Sequence, residues 1–114
     1  VAHIIDREEN GFVSLGESGV AVEYMAGVSD NLLVNYVSED VLESFNTYDL
    51  DLDAAAALLE SIGYTKGADG TWADDEGNAL AFELIFPAEY ADWSAAAENA
   101  AQALNDFGIQ VTAR

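Results

Sequence analysis

The chain has 114 residues, 51% of them hydrophobic, with 22 acidic side chains against 3 basic ones and a formal net charge of −19. That apolar content excludes a disordered polyanion, and the lack of a basic patch argues against nucleic acid and anionic membrane surfaces as partners. With no cysteine, neither a disulfide framework nor a thiolate metal site is available.

An almost purely anionic surface repels itself in dilute buffer, but in roughly 1 M salt the Debye length falls to about 3 Å and the repulsion is screened. Lys66 is the only lysine. Together these features predict a protein of a halophile, working in molar salt. No apolar run approaches the length needed to span a bilayer. The chain opens on Val1-Ala2-His3-Ile4 without methionine, and we expect a single domain over residues 1–114 that is a fragment of a longer polypeptide.

Residues 2–10 are predicted as a short helix with Ile4 and Ile5 inward and Asp6 to Glu9 outward, stopped by Asn10-Gly11. Residues 12–25, punctuated by Gly16 and Gly19, are expected to be loop with a brief extended piece at 20–22. Ser29 and Ser38 are predicted N-caps for one or two helical turns over 32–37 and 41–45. Asp51 caps the next predicted helix, over 52–62, and Asp53 meets the positive end of its dipole. Ala55, Leu58, Leu59 and Ile62 form its apolar stripe, Gly63 ends it, and Tyr64 folds back on the last turn. Residues 70–73 and 78–86 flank Asp74-Asp75-Glu76-Gly77, a hairpin pattern.

The organising stretch is 81–112. Leu80, Phe82, Leu84 and Phe86 alternate with Ala81, Glu83 and Ile85 as in a strand, which Pro87 ends. From Asp92 the period changes: Trp93, Ala97, Ala100, Leu104 and Phe107 share one helix face. Gly108 stops the helix, and Ile109 to Thr112 form a second strand. Strand, helix and strand with tight connections predict a βαβ unit with parallel strands, hence an α/β fold, α+β being the alternative.

Few residues carry chemistry. His3 has no cysteine or second histidine with which to build a nucleophilic dyad, so it reads as structural or exposed. Asp49, Asp51, Asp53 and Glu60 are spaced like a calcium loop, but Ala54 stands where that loop needs glycine, and helix capping explains them better. The Asp74-Asp75-Glu76 tip is solvated, and a carboxyl pair needs burial before its pKa suits acid–base work. Glu89, Tyr90 and Trp93 follow the first parallel strand at its C-terminal end, where α/β sheets bind ligands. They are the candidate ligand-binding residues, Trp93 alternatively packing in the core as the first member of the helix stripe. No catalytic residue, cofactor motif or metal site is expected.

Four blocks carry a family resemblance. They are Ile4-Ile5-Asp6-Arg7-Glu8; Asp51-x-x-x-Ala55-x-x-Leu58-Leu59-x-x-x-Gly63-Tyr64; Asp69-Gly70-x-Trp72 with Gly77-x-x-Leu80-x-Phe82-x-Leu84; and Leu104-x-x-x-Gly108-Ile109-x-Val111. In this order they resemble solute-binding family 5, the receptors of peptide, dipeptide and nickel ABC importers. The resemblance implies a segment of the C-terminal lobe of a two-lobed, class II periplasmic-binding-protein-like receptor. Such a receptor closes around a peptide or small solute without catalysis and delivers it to an ABC permease in the membrane. As is typical of such receptors in archaea, the resemblance also implies a lipid anchor that holds it outside the cell, and as partners the solute, the permease and the remainder of the receptor. In relatives the segment that clamps the ligand's amino end lies further on than Arg114. A stand-alone acidic module that binds cationic proteins is the rival expectation.

Overall fold

Asp6 opens the first helix from outside it. In the computed structural model, which describes residues 1–114, Asp6 is extended and its carboxylate accepts the Glu8 and Glu9 N–H groups at 3.0 Å each. Helix α1 therefore spans Arg7–Leu15, and residues 2–5 form a turn tied by the Ile4 N–H to the Val1 carbonyl. The predicted helix over 2–10 is corrected by about five residues. Asn10-Gly11 does not stop it: Asn10 Nδ2 leaves the helix to reach the Ala96 carbonyl at 2.8 Å and Asn99 Oδ1 at 3.0 Å. Gly11 keeps a helical backbone so close to Gly19 that a Cβ on Gly19 would collide with the Gly11 carbonyl. Gly16 (φ 60°) ends α1 and starts a 3₁₀ turn, Gly16–Ser18.

The extended piece expected at 20–22 finds no strand to pair with, and 19–29 is irregular. The Asp30 carboxylate gathers it by accepting the Glu23 N–H at 2.7 Å. Helices α2 (Asp30–Tyr36) and α3 (Glu39–Leu42) begin two residues earlier than the apolar runs suggested. Ser29 and Ser38 stand at their N-caps with extended backbones, but neither hydroxyl makes the capping bond. Each helix buries one residue, Leu33 and Leu42 respectively.

Helix α4 (Leu52–Ser61) is capped as its sequence suggests, the Asp51 carboxylate accepting the Ala54 N–H at 2.9 Å. Tyr64 folds back, its N–H on the Leu59 carbonyl at 3.0 Å. The predicted stripe splits. Ala55 is buried and Leu59 packs on the core, but Leu58 is 57% and Ile62 69% exposed.

Strand β1 (Thr65–Lys66) pairs antiparallel with β2 (Trp72–Ala73), Lys66 opposite Trp72. The hairpin predicted from 70–73 and 78–86 also forms, over a shorter length: Ala73 bridges Ala79 antiparallel, the Leu80 N–H donates to the Trp72 carbonyl at 2.8 Å and the Asp74 N–H to the Asn78 carbonyl at 3.0 Å. The turn between them is built on Asp74, whose carboxylate accepts the Asn78 Nδ2 at 2.9 Å and the Asn78 and Glu76 N–H groups.

The βαβ unit forms as expected: β3 (Ala81–Leu84), α5 (Ala91–Phe107) and β4 (Gln110–Ala113), with β3 parallel to β4 and Ala81 opposite Gln110. Gly108 caps α5 at φ 103°. A Cβ there would strike the Gly70 carbonyl, so α5 can turn into β4 only with glycine against the β1–β2 loop. The core is small: Ile4, Ala55, Trp72, Leu104, Phe107 and Ile109. Trp72 stacks on Phe107 with centroids 5.6 Å apart, and its Nε1 donates to the Phe107 carbonyl at 3.1 Å. A buried indole thus keeps its polar atom satisfied.

The molecule is a slab of 48 × 38 × 18 Å with a radius of gyration of 16.2 Å. A compact domain of 100 residues has about 13 Å. So thin a body leaves apolar faces uncovered. One is a groove of about 260 Å³ along α4 and the β3–β4 sheet, where Leu58, Ile62 and Phe82 line the wall beside Ile4 and Tyr64.

Candidate functional site

The cleft at the C-terminal end of β3 is made by three elements meeting. β3 runs out at Leu84, and the Phe86 N–H still reaches the Arg114 carbonyl at 3.1 Å before Pro87 breaks the ladder. A turn follows, closed by the Tyr90 N–H on the Pro87 carbonyl at 3.1 Å. Tyr90 is the N-cap of α5, and its carbonyl accepts both the Ser94 N–H at 2.9 Å and the Ser94 hydroxyl at 3.0 Å. Asp92 lies in the first turn, where a carboxylate complements the helix dipole.

Between this turn and the end of α1 lies a space of about 470 Å³, walled by Leu15, Ile85, Pro87, Trp93 and Ala97. Of the three candidate residues, Trp93 lines the space; Tyr90 lies against its ring, centroids 5.6 Å apart and planes tilted by 37°. Glu89 is exposed and stands outside the lining. Trp93 is 58% exposed, so it does not serve as the first member of the core stripe. The rest of the predicted stripe does face inward, Leu104 and Phe107 buried together with Ala101, and Ala97 and Ala100 half-buried. Leu15, Ile85 and Asp92 were not singled out from sequence. Ile85 carried a signal: an apolar residue at the strand position that alternation assigns outward.

The polar groups of the lining are few. The Ser14 hydroxyl is spent on the Asn10 carbonyl at 2.9 Å, leaving the Asp92 carboxylate. Such a cleft offers apolar burial, aromatic stacking and one anion, which suits holding a solute. The residues of the calcium-like spacing do not converge: Asp51 caps α4, and the Asp49 carbonyl accepts His3 Nδ1 at 2.7 Å.

Residues 1–114 match the model of the bacterial extracellular solute-binding proteins, family 5 Middle. The chain belongs to that family. Family 5 proteins are extracellular substrate-binding components of ABC import and not catalysts. Among solved structures, the chain is similar to the periplasmic oligopeptide-binding protein of Thermotoga maritima, at 22% identity, with a TM-score of 0.82 over 99% of this chain and 21% of that one. It is similar to NikA of Brucella suis, solved with Fe(III)-EDTA, at 25% identity and TM-score 0.74, covering 98% of this chain and 21% of that one. It is also similar to the oligopeptide-binding protein of Thermus thermophilus, solved with a pentapeptide, at 26% identity and TM-score 0.68, covering 99% and 18%. No curated protein matches the chain. The fold is thus that of a segment of a class II periplasmic-binding-protein-like molecule, and the chain spans about a fifth of the structures it resembles.

Proposed function

We propose that the chain is a segment of the C-terminal lobe of a two-lobed receptor that binds peptides or similar small solutes for an ABC importer. The match of all 114 residues to family 5 carries this reading. The thin slab and its uncovered groove support it, because Leu58, Ile62 and Phe82 are apolar surface that a larger lobe would bury. In this reading the solute lies against the Trp93 cleft, with Tyr90 stiffening the Trp93 ring and Glu89 at the rim facing a cationic group of the solute. No chemistry is performed. The strong negative charge and single lysine support a halophilic, archaeal source, and a lipid anchor completes the placement outside the cell.

The test is calorimetric titration of the full-length receptor with a pentapeptide, nickel–histidine and an oligosaccharide. One of them should bind, and Trp93→Ala should weaken it about tenfold, the loss expected for one aromatic contact. A parent reading frame without a second lobe would sink the receptor reading. Unchanged affinity in Trp93→Ala would remove the cleft from it.

A further inference from the structure

A second cleft, sharing no lining residue with the Trp93 cleft, lies among α1, α4 and α5 and holds about 560 Å³. Its apolar lining is Leu50 and Leu52, about half exposed, with Ala56 and Ala103, laid over the buried Ile4, Trp72 and Phe107. Its rim is acidic, with Asp6, Glu9, Asp53, Glu60 and Asp106 arriving from three helices and their caps. Asp6 is engaged in capping α1, and Asp106 accepts Gln102 Nε2 at 2.7 Å. Glu9, Asp53 and Glu60 form no ion pair, the salt bridge of the molecule being Arg114 to Glu83.

The chain's only lysine sits in the same cleft. The Lys66 ammonium stands 5.2 Å from the centre of the Phe107 ring and 5.9 Å from that of Trp72. The aromatic floor therefore already receives a cation through its π faces. Yet Lys66 pairs with none of the surrounding carboxylates, so five anions face one cation across an apolar floor. The volume is far larger than one ion needs, and no three carboxylates converge as a metal site. A flexible basic chain with apolar neighbours fits both tones of the cleft: stems on the floor, charged heads at the rim.

We propose that this cleft is a docking site for a basic amphipathic segment of a partner protein, with lysine or arginine on Glu9, Asp53 and Glu60 and apolar side chains on the floor. The inference goes beyond solute binding and does not rest on it. In molar salt the charge term shrinks within a Debye length of about 3 Å while the apolar term persists, so the floor keeps the interaction where simple polyanion binding fades.

The probe is a dye-labelled leucine–lysine amphipathic helix of roughly four turns, with its leucine-to-serine counterpart of equal charge, read by anisotropy against the chain. The triple variant Glu9→Gln/Asp53→Asn/Glu60→Gln should bind the leucine peptide about tenfold more weakly than the control Glu39→Gln/Asp40→Asn/Glu43→Gln, which loses the same charge elsewhere. The serine peptide should bind wild type about tenfold more weakly, and Lys66→Gln, which removes the one cation of the cleft, should tighten the leucine peptide. Equal weakening by the two triple variants, equal binding of the two peptides, or no binding to wild type would each overturn the proposal.

Discussion

Asn105 closes both functions of its amide on Val111. The Val111 N–H donates to Oδ1 and Nδ2 donates to the Val111 carbonyl, each at 2.9 Å, while Nδ2 also reaches the Ala101 carbonyl at 2.9 Å. The side chain thus substitutes for a neighbouring strand along β4 and fixes where the strand leaves α5. Asn105→Ala should lower unfolding free energy by about 1–2 kcal/mol, the loss expected for a pair of partly exposed hydrogen bonds. Chemical denaturation checks it, and a loss within error would show that water replaces the clamp.

Gly108 and Gly63 separate two costs of adding a methyl group. Both have positive φ, 103° and 94°, but only Gly108 would press a Cβ into a carbonyl, that of Gly70. Gly63→Ala should cost about 1 kcal/mol from backbone strain alone. Gly108→Ala should cost about 2 kcal/mol or more, since the β1–β2 loop must also move. Thermal melts of the two variants side by side decide it, and equal losses would refute the close approach.

The Asp74 turn makes stability pH-dependent in a known direction. Hydrogen bonds from the Asn78 side chain, then from the Asn78 backbone, hold the Asp74 carboxyl below its usual value of 3.8. A carboxyl depressed in the folded state adds stability above its unfolded pKa and loses it as pH falls through the folded one. The contribution of this turn should therefore be complete at neutral pH and decline below about 4. Asn78→Ala should flatten part of that decline when melts are compared between neutral and acidic buffer.

Salt should stabilise this chain broadly. With a net charge of −19 and one surface ion pair, repulsion outweighs specific pairing. The midpoint of unfolding should rise markedly from dilute buffer to about 1 M potassium chloride, where the Debye length is about 3 Å. A flat response would remove the halophile reading.

The βαβ unit was legible because a period of two, a period of 3.6 and a glycine stop succeed one another without interruption between Leu80 and Val111. Periodicity says which residues share a face, not whether anything covers it. Leu58, Ile62 and Trp93 are periodic and exposed for that reason. The end of α1 was misplaced because Asn10-Gly11 carries a stop signal locally, whereas here Asn10 bonds α5 across 86 residues. The pairing of Trp72 with Lys66 was hidden too, since Thr65-Lys66 is too short to show a strand period. At the Trp93 cleft the sequence located the loop, but which of its side chains face inward depends on α1, and no local pattern reports that neighbour.

The two tryptophans have opposite surroundings, and this gives the chain a built-in pair of optical reporters. Trp72 is 2% exposed, stacked and hydrogen-bonded inside the core, while Trp93 is 58% exposed beside Tyr90. The indole of Trp72 should emit to the blue and resist iodide, and that of Trp93 should emit to the red and be quenched by it. Unfolding will therefore register chiefly as a red shift of the blue component. A solute settling on Trp93 will change the quenchable component while leaving the other untouched.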